Sequence, residues 1–253
     1  MRRLIRNIIS EFKKLQLKKI GMSILVILTI QFLWELRNFS SLQGANFEQG
    51  WKYLLYSMPP LNALLMPIIT AIIASRFSDI EHKGEMFKLL NTITPASHIF
   101  CIKFINASIF LIVIVLIQTL FLGIAGWHFR FPGEIPFERL SYYLIFTLFV
   151  NITIQILHLD LSLLFKNQVI SLAAGIVGGL VGLYLLFLPP QIASYFVWGY
   201  YGKFMLVGMN WEETSKHAMF YDLPINWYAL IPLSIFCIFF YMIGLIFFKR
   251  KEI

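Results

Sequence analysis

Charge is what this sequence has least of. Asp, Glu, Lys and Arg make up 13% of its 253 residues, whereas 58% are hydrophobic. Soluble domains carry about a quarter charged residues. A water-soluble fold of this length could not hide so much apolar surface, but a bilayer accepts it, because lipid-facing side chains need no water. Cysteine is nearly absent. Cys101 and Cys237 both lie in apolar runs, which argues against a disulfide framework and makes them small core residues. There is no GxxxxGK[ST] phosphate loop, since Gly202-Lys203 is followed by Phe204, and no HExxH or paired-cysteine metal signature. Histidines 82, 98, 128, 158 and 217 are scattered and form no ligand set. The chain is therefore expected to hold no catalytic residue, metal or cofactor, and not to hydrolyse ATP itself. No Pro/Gly/Ser-rich linker divides it, so residues 1–253 read as one transmembrane domain.

What is present is six apolar segments, at about 20–36, 53–75, 99–127, 140–165, 169–188 and 228–248. A span needs about 20 residues at 1.5 Å rise each. The first segment is short and the third long, differences that tilt absorbs. The basic stretch before the first segment is too long for a signal peptide and no small-residue cleavage site follows, so this segment reads as a retained helix. An even number of spans puts both termini on one side. Of the 21 Lys and Arg residues, 15 fall on that side and 6 on the other (Arg37, Lys52, Arg130, Arg139, Lys203, Lys216). The positive-inside rule then makes the termini cytoplasmic, and the net charge of +8 follows topology rather than nucleic-acid binding. Trp34, Trp51, Trp127 and Trp227 stand at segment edges, where interfacial rings belong.

Within residues 1–19, positions 3–16 read as a basic amphipathic helix in the inner headgroup plane: Leu4, Ile5, Ile8, Ile9, Phe12 and Leu15 share a face. Between spans two and three, Ser78 and Glu81 have capping-box spacing. Met86, Leu89, Leu90 and Ile93 then form a helical stripe, and Thr94-Pro95 restarts a helix. A short cytoplasmic helix results, whose apolar face rests on headgroups or in a partner protein's groove. Gly175, Gly178, Gly179 and Gly182 make two GxxxG spacings, for close packing within the chain or across a dimer. The segment 189–227 gathers Tyr195, Phe196, Trp198, Tyr200, Tyr201 and Phe204. It is too apolar for a free loop, and reads either as a contact for an amphiphilic ligand or as ordinary interfacial aromatics. His158 and Asp160 are the ionisable pair at membrane depth, Asp160 lying about 9 Å inward of Lys166. Such a pair is either a structural polar contact or part of a proton relay or intramembrane catalytic site.

The stretch Glu81-His-Lys-Gly84-Glu85-Met86-Phe-Lys-Leu89-Leu90-Asn-Thr-Ile93-Thr-Pro95-Ala-Ser97, with Lys103 beyond it, resembles the coupling region of ABC-2 type permeases. His98 stands where that family frequently has Arg. Ser162-Leu-Leu-Phe-Lys166-Asn-Gln-Val-Ile-Ser171 and the glycine-rich span after it resemble permease subunits of lantibiotic self-protection transporters. The resemblance implies an all-α, six-span fold like that of type V exporters, with an interfacial N-terminal helix and a coupling helix. It implies a second permease subunit, as homodimer or heterodimer, and a separate cytoplasmic ATPase that binds the ATP. Glu81, Gly84, Glu85, Met86, Leu89, Leu90 and Ile93 would couple to that ATPase. The cargo would be an antimicrobial peptide expelled from the bacterial plasma membrane, or else a drug or lipid. A non-transporting membrane scaffold is the further alternative.

Overall fold

The structure, a computed structural model, describes residues 17–83, 95–212 and 217–251; the expected interfacial helix at 3–16 lies outside them. Six long helices carry the fold: α1 (Leu17–Ser40), α2 (Gly50–Lys83), α3 (Ala96–His128), α4 (Phe137–Leu164), α5 (Val169–Leu185) and α6 (Leu230–Lys251). All but α5 are long and apolar enough to cross a membrane. At 17 residues α5 covers about 25 Å, and the short helical turns Pro190–Ala193, Val197–Gly199 and Tyr200–Lys203 continue from it. The chain is thus an all-α, multi-pass membrane protein, as its hydropathy predicts. We call the face holding the described ends, residues 17 and 251, proximal, and the opposite face distal.

Helices α2 and α4 form the centre. α2 packs on α5, α4, α1 and α3, and α4 also packs on α6 and α3. Two hydrogen bonds fix the register of the parallel pair α2 and α4. Asn62 lies opposite Tyr143 in the distal half, and His82 opposite Ser162 at the proximal end. Antiparallel α3 is pinned by Gln118 against Asn62 and by Lys103 against Phe77. Pro59, Pro60 and Pro67 lie inside α2. Each withdraws a donor from the helix, which a buried transmembrane helix tolerates when neighbours fill the gap.

The proximal end of α2 departs from the sequence expectation. The helix runs on to Lys83, so Ser78 and Glu81 lie inside it and do not cap a new one. Phe77 and Ser78 are buried in the bundle, and that burial keeps the turn helical. Pro95 is the N-cap of α3 rather than its first residue. Trp34, Trp127 and Trp227 are exposed, as edge rings should be. Trp51, expected among them, is buried, because Gly126 of α3 has no side chain and its indole occupies that space.

On the distal face, an antiparallel hairpin of β1 (Val207–Glu212) and β2 (His217–Asp222) stands on the bundle, in the register Val207↔Asp222 to Glu212↔His217. The sequence predicts only that 189–227 dips into the outer leaflet or packs on the bundle. Phe220 packs on Tyr53 and Tyr56, with ring centroids 5.4 and 5.3 Å apart, and its N–H donates to Gln49 Oε1 at 2.7 Å. Asp222 meets Lys52 at 3.3 Å and Arg139 at 3.6 Å, while Arg139 also donates to the carbonyls of Leu206 and Leu223.

Candidate functional site

The stripe expected to meet an ATPase, with Gly84, Glu85, Met86, Leu89, Leu90 and Ile93, lies outside the described residues. What precedes and follows it is described. Glu81 belongs to the last turn of α2, and α3 opens at Ala96. Both ends emerge on the proximal face, where one buried contact joins α2 to α3 and a second, partly buried one joins α2 to α4. Lys103 Nζ donates to the carbonyl of Phe77 at 2.6 Å, and His82 Nε2 is 2.9 Å from the carbonyl of Ser162. Lys103 is only 1% exposed, so a charged side chain is embedded where α2 and α3 approach their connection.

The glycine stripe of α5 packs within the chain. A Cβ at Gly175 would lie 2.6 Å from Ala71 Cβ and 2.8 Å from the Pro67 carbonyl oxygen. At Gly179 it would fall on the Leu64 carbonyl oxygen, and at Gly182 it would lie 2.9 Å from that of Ala63. Ala63 is four residues before Pro67, which has no N–H to bond it. The backbones of α2 and α5 touch because neither GxxxG has side chains there. Gly178 instead admits the indole of Trp198.

The interior is polar at two levels. In the distal half, Gln31 of α1 and Gln118 of α3 donate to Asn62 Oδ1 at 2.9 and 3.0 Å. Gln118 also donates to Gln31 Oε1 at 3.0 Å, and Asn62 Nδ2 to the Tyr143 hydroxyl at 2.7 Å. Four helices share this node. One turn beyond Gln31, Glu35 is fully buried and accepts from the Ser57 hydroxyl at 2.8 Å. In the proximal half, the register above puts Asn106 and Gln155 level with Ala74, and His158 level with Phe77 and Ser78. The side-chain nitrogens and oxygens of Asn106, Gln155 and His158 have no hydrogen-bond partner among the described residues.

His158 and Asp160 are not a pair. Two residues apart on a helix, they point to different sides. His158 is wholly buried, and its carbonyl accepts from Ser171 Oγ on α5 at 3.3 Å. Asp160 faces α6, where Gly244 makes room for its carboxylate. Nor are they alone at membrane depth, since Glu35 and Lys103 are buried as deeply. Sequence reading missed these two because each sits near a segment end. The signal was the α1 stripe Ile20, Ile24, Leu28, Gln31, Glu35, Phe39, all buried at helical spacing.

A groove of about 500 Å³ opens near the proximal end, between α1, α2 and α5. Ile68, Ile72, Leu172 and Ile176 give it apolar walls, while Arg76 and Asp79 stand at its proximal end. Its form suits a molecule with an apolar body and a polar end.

Comparison with known families is decisive at this point. The family model described as ABC-2 family transporter protein matches residues 7–182, more than two-thirds of the chain. The chain belongs to the ABC-2 family. It is a transmembrane permease of an ABC transporter, a class that works with a partner ATPase and is normally the non-catalytic membrane subunit. No curated protein and no solved structure matches it.

In this permease the aromatic segment divides in two. Tyr195 and Phe196 are exposed on the distal side. Tyr200 and Tyr201, expected with them at a ligand-contacting surface, are in the core instead. Tyr201 donates to Asn151 Oδ1 at 2.5 Å, and Tyr200 packs against Phe236. Trp198 lies against Gly178 and Gly182. The reason is that the turns after α5 fold back onto α2 and α4, with Tyr200 against Phe236 of α6, and bury one side of the aromatic run. Lys203 sits 5.6 Å over the Tyr200 ring, and partial burial lowers its ammonium below the usual value.

Proposed function

We propose that this permease is half of the membrane part of an exporter that lifts an amphiphilic, lantibiotic-type antimicrobial peptide out of the bilayer and protects the cell carrying it. The proximal face is cytoplasmic, the membrane is the bacterial plasma membrane, and a second permease subunit completes the pathway. A separate pair of ATPase subunits binds and hydrolyses ATP. Residues Glu81 to Ile93 seat in a groove of the ATPase, so that its closure pushes on α2 and α3 and rocks the bundle.

The observation that carries this reading is the proximal end of α2 and α3. The helices flanking the stripe are long, enter the bundle directly, and are clamped to each other and to α4 through Lys103 and His82. A push on the connection is therefore delivered to buried helices rather than absorbed in a slack loop. The groove between α1, α2 and α5 supports an amphiphilic cargo taken from lipid, because its walls are apolar and Arg76 and Asp79 stand at one end.

The test is the variant Leu89→Asp/Leu90→Asp, expressed with the ATPase and scored twice. Co-purification of the ATPase should be lost while membrane insertion is kept, and cells should lose tolerance to the peptide. Retained association would refute the coupling role. Association lost with peptide tolerance unaffected would keep the coupling and move the cargo to another hydrophobic molecule, such as a drug or lipid.

A further inference from the structure

The distal end of α3 carries a feature that the permease function does not use. The helix closes on His128, and the chain turns back through residues 129–136 into α4. The N–H of Phe131 bonds to the carbonyl of Gly126 at 3.1 Å and that of Arg130 to the carbonyl of Trp127 at 3.1 Å. These are the two bonds of a Schellman closure, whose penultimate residue is left-handed and is usually glycine. Here it is Arg130, with φ of 55°. It is the only left-handed residue among those described that is not glycine. Nothing in the closure itself calls for arginine, and the backbone conformation is strained for any side chain.

The turn borders a cavity of about 640 Å³ lined by Trp51, Trp127, His128, Arg130 and Phe131. Its charged side chain is the Arg130 guanidinium, with the His128 imidazole beside it. No carboxylate lines it. Arg130 is exposed and has no ion pair among the described residues. A guanidinium with no carboxylate beside it recognises an oxyanion, and its planar fork suits phosphate in particular. The surface beside the turn fixes the source of the anion. Trp127, which lines the cavity, Ile124 one turn before it on α3, and Phe137 at the start of α4 are 70%, 63% and 71% exposed, so an apolar surface borders the polar turn. A freely dissolved anion gains nothing from that apolar rim, whereas an acyl chain does.

We propose that this cavity is a binding site for the phosphate headgroup of an anionic phospholipid in the distal leaflet, gripped by Arg130 with its chains lying along α3. The site is separate from the groove between α1, α2 and α5 and from the coupling segment.

The experiment uses the full-length permease in detergent, with phosphatidylglycerol, an uncharged diglucosyl diacylglycerol and inorganic phosphate as probes. Retained lipid is counted by native mass spectrometry, and thermal stabilisation is followed in parallel. Phosphatidylglycerol should bind and stabilise the native chain, and the glycolipid should not. Arg130→Gly should weaken binding at least tenfold, the loss of a hydrogen bond to a charged group, and it should fold as well as the native chain because glycine suits a left-handed position. Arg130→Lys should retain part of the affinity. Native-like binding by Arg130→Gly, or equal binding of the glycolipid, would overturn the proposal. Displacement of the lipid by millimolar inorganic phosphate would overturn its lipid source and leave a site for a free anion.

Discussion

The contact of α5 with α2 makes the sharpest stability prediction. At Gly179 an added methyl would land on the Leu64 carbonyl oxygen and lie 3.2 Å from its carbon. Both atoms are backbone of a buried helix and cannot rotate away. An ordinary carbon contact needs about 3.5 Å, so α5 must retreat by roughly 1 Å along much of its length. Overpacking of this kind costs about 1–3 kcal/mol, while alanine returns up to about 1 kcal/mol of helix propensity. Gly179→Ala should therefore be destabilised by about 1–2 kcal/mol. Gly175→Ala should behave similarly, because Pro67 O and Ala71 Cβ are equally fixed. Gly178→Ala should suffer less, since it meets the Trp198 side chain, which can shift. Gly123→Ala is the control. Its only neighbour is Leu140 Cδ1 at 3.9 Å, so it should be neutral or slightly stabilised. Thermal unfolding of the purified permease in a mild detergent, with the oligomeric state followed by size exclusion, measures the series. If Gly179→Ala melts with Gly123→Ala, or shifts only the monomer–dimer balance, the stripe serves a partner subunit and the intrachain argument fails.

Three other outcomes follow from the contacts above. Asn62→Leu should cost about 1–3 kcal/mol, because Gln31, Gln118 and Tyr143 lose their shared partner in a buried site; an unchanged melting temperature would mean the node is incidental. In the distal hairpin, Phe220→Ala should cost about 3 kcal/mol and loosen the strands over Tyr53 and Tyr56. Asp222→Asn should cost no more than about 1 kcal/mol, since Asp222 is 44% exposed and its partners Lys52 and Arg139 are 42% and 29% exposed; limited proteolysis of the hairpin would rank the two. Asp160→Asn should transport at the native rate in the assembled, ATPase-driven complex, because the carboxylate is packed against Gly244 and Asp160 Oδ1 has no partner to lose. A large loss of transport would return Asp160 to the mechanism.

The membrane architecture was legible because apolar length is a local property. Each run of about 20 apolar residues must be a helix once it is in lipid, and α1, α3, α4 and α6 appear close to where the runs lie. Boundaries were less legible where tertiary burial overrode a local signal. Ser78 and Glu81 have the spacing of a cap, but Ser78 is buried between helices and the turn stays helical. The hairpin was not legible for a related reason. Met209, Trp211, Met219 and Tyr221 alternate as strand residues do, but so many aromatics surround them that alternation does not stand out from an interfacial run. Gln49, Lys52 and Arg139, which fix its base, come from far earlier in the chain.

The polar interior shows why a candidate site is harder to read than a fold. Intramembrane charge is expected to mark function, and His158 and Asp160, two apart in sequence, read as a pair. A helix separates residues two apart and joins those three or four apart. By that rule the informative spacings were Gln31 with Glu35 on α1, and Asn151, Gln155, His158 and Ser162 on α4. The first set meets Asn62, Gln118 and Ser57, and each of its side chains makes at least one hydrogen bond, though Glu35 Oε1 and Gln118 Oε1 have no partner among the described residues. In the second, Asn151 is engaged by Tyr201, while Gln155 and His158 are left without side-chain partners. A buried polar group that is bonded specifies one arrangement of helices, and one that is not bonded costs free energy in whatever arrangement holds it. The distal half of the bundle is therefore the better-specified half. The proximal half, next to the connection between α2 and α3, gains least from staying as it is.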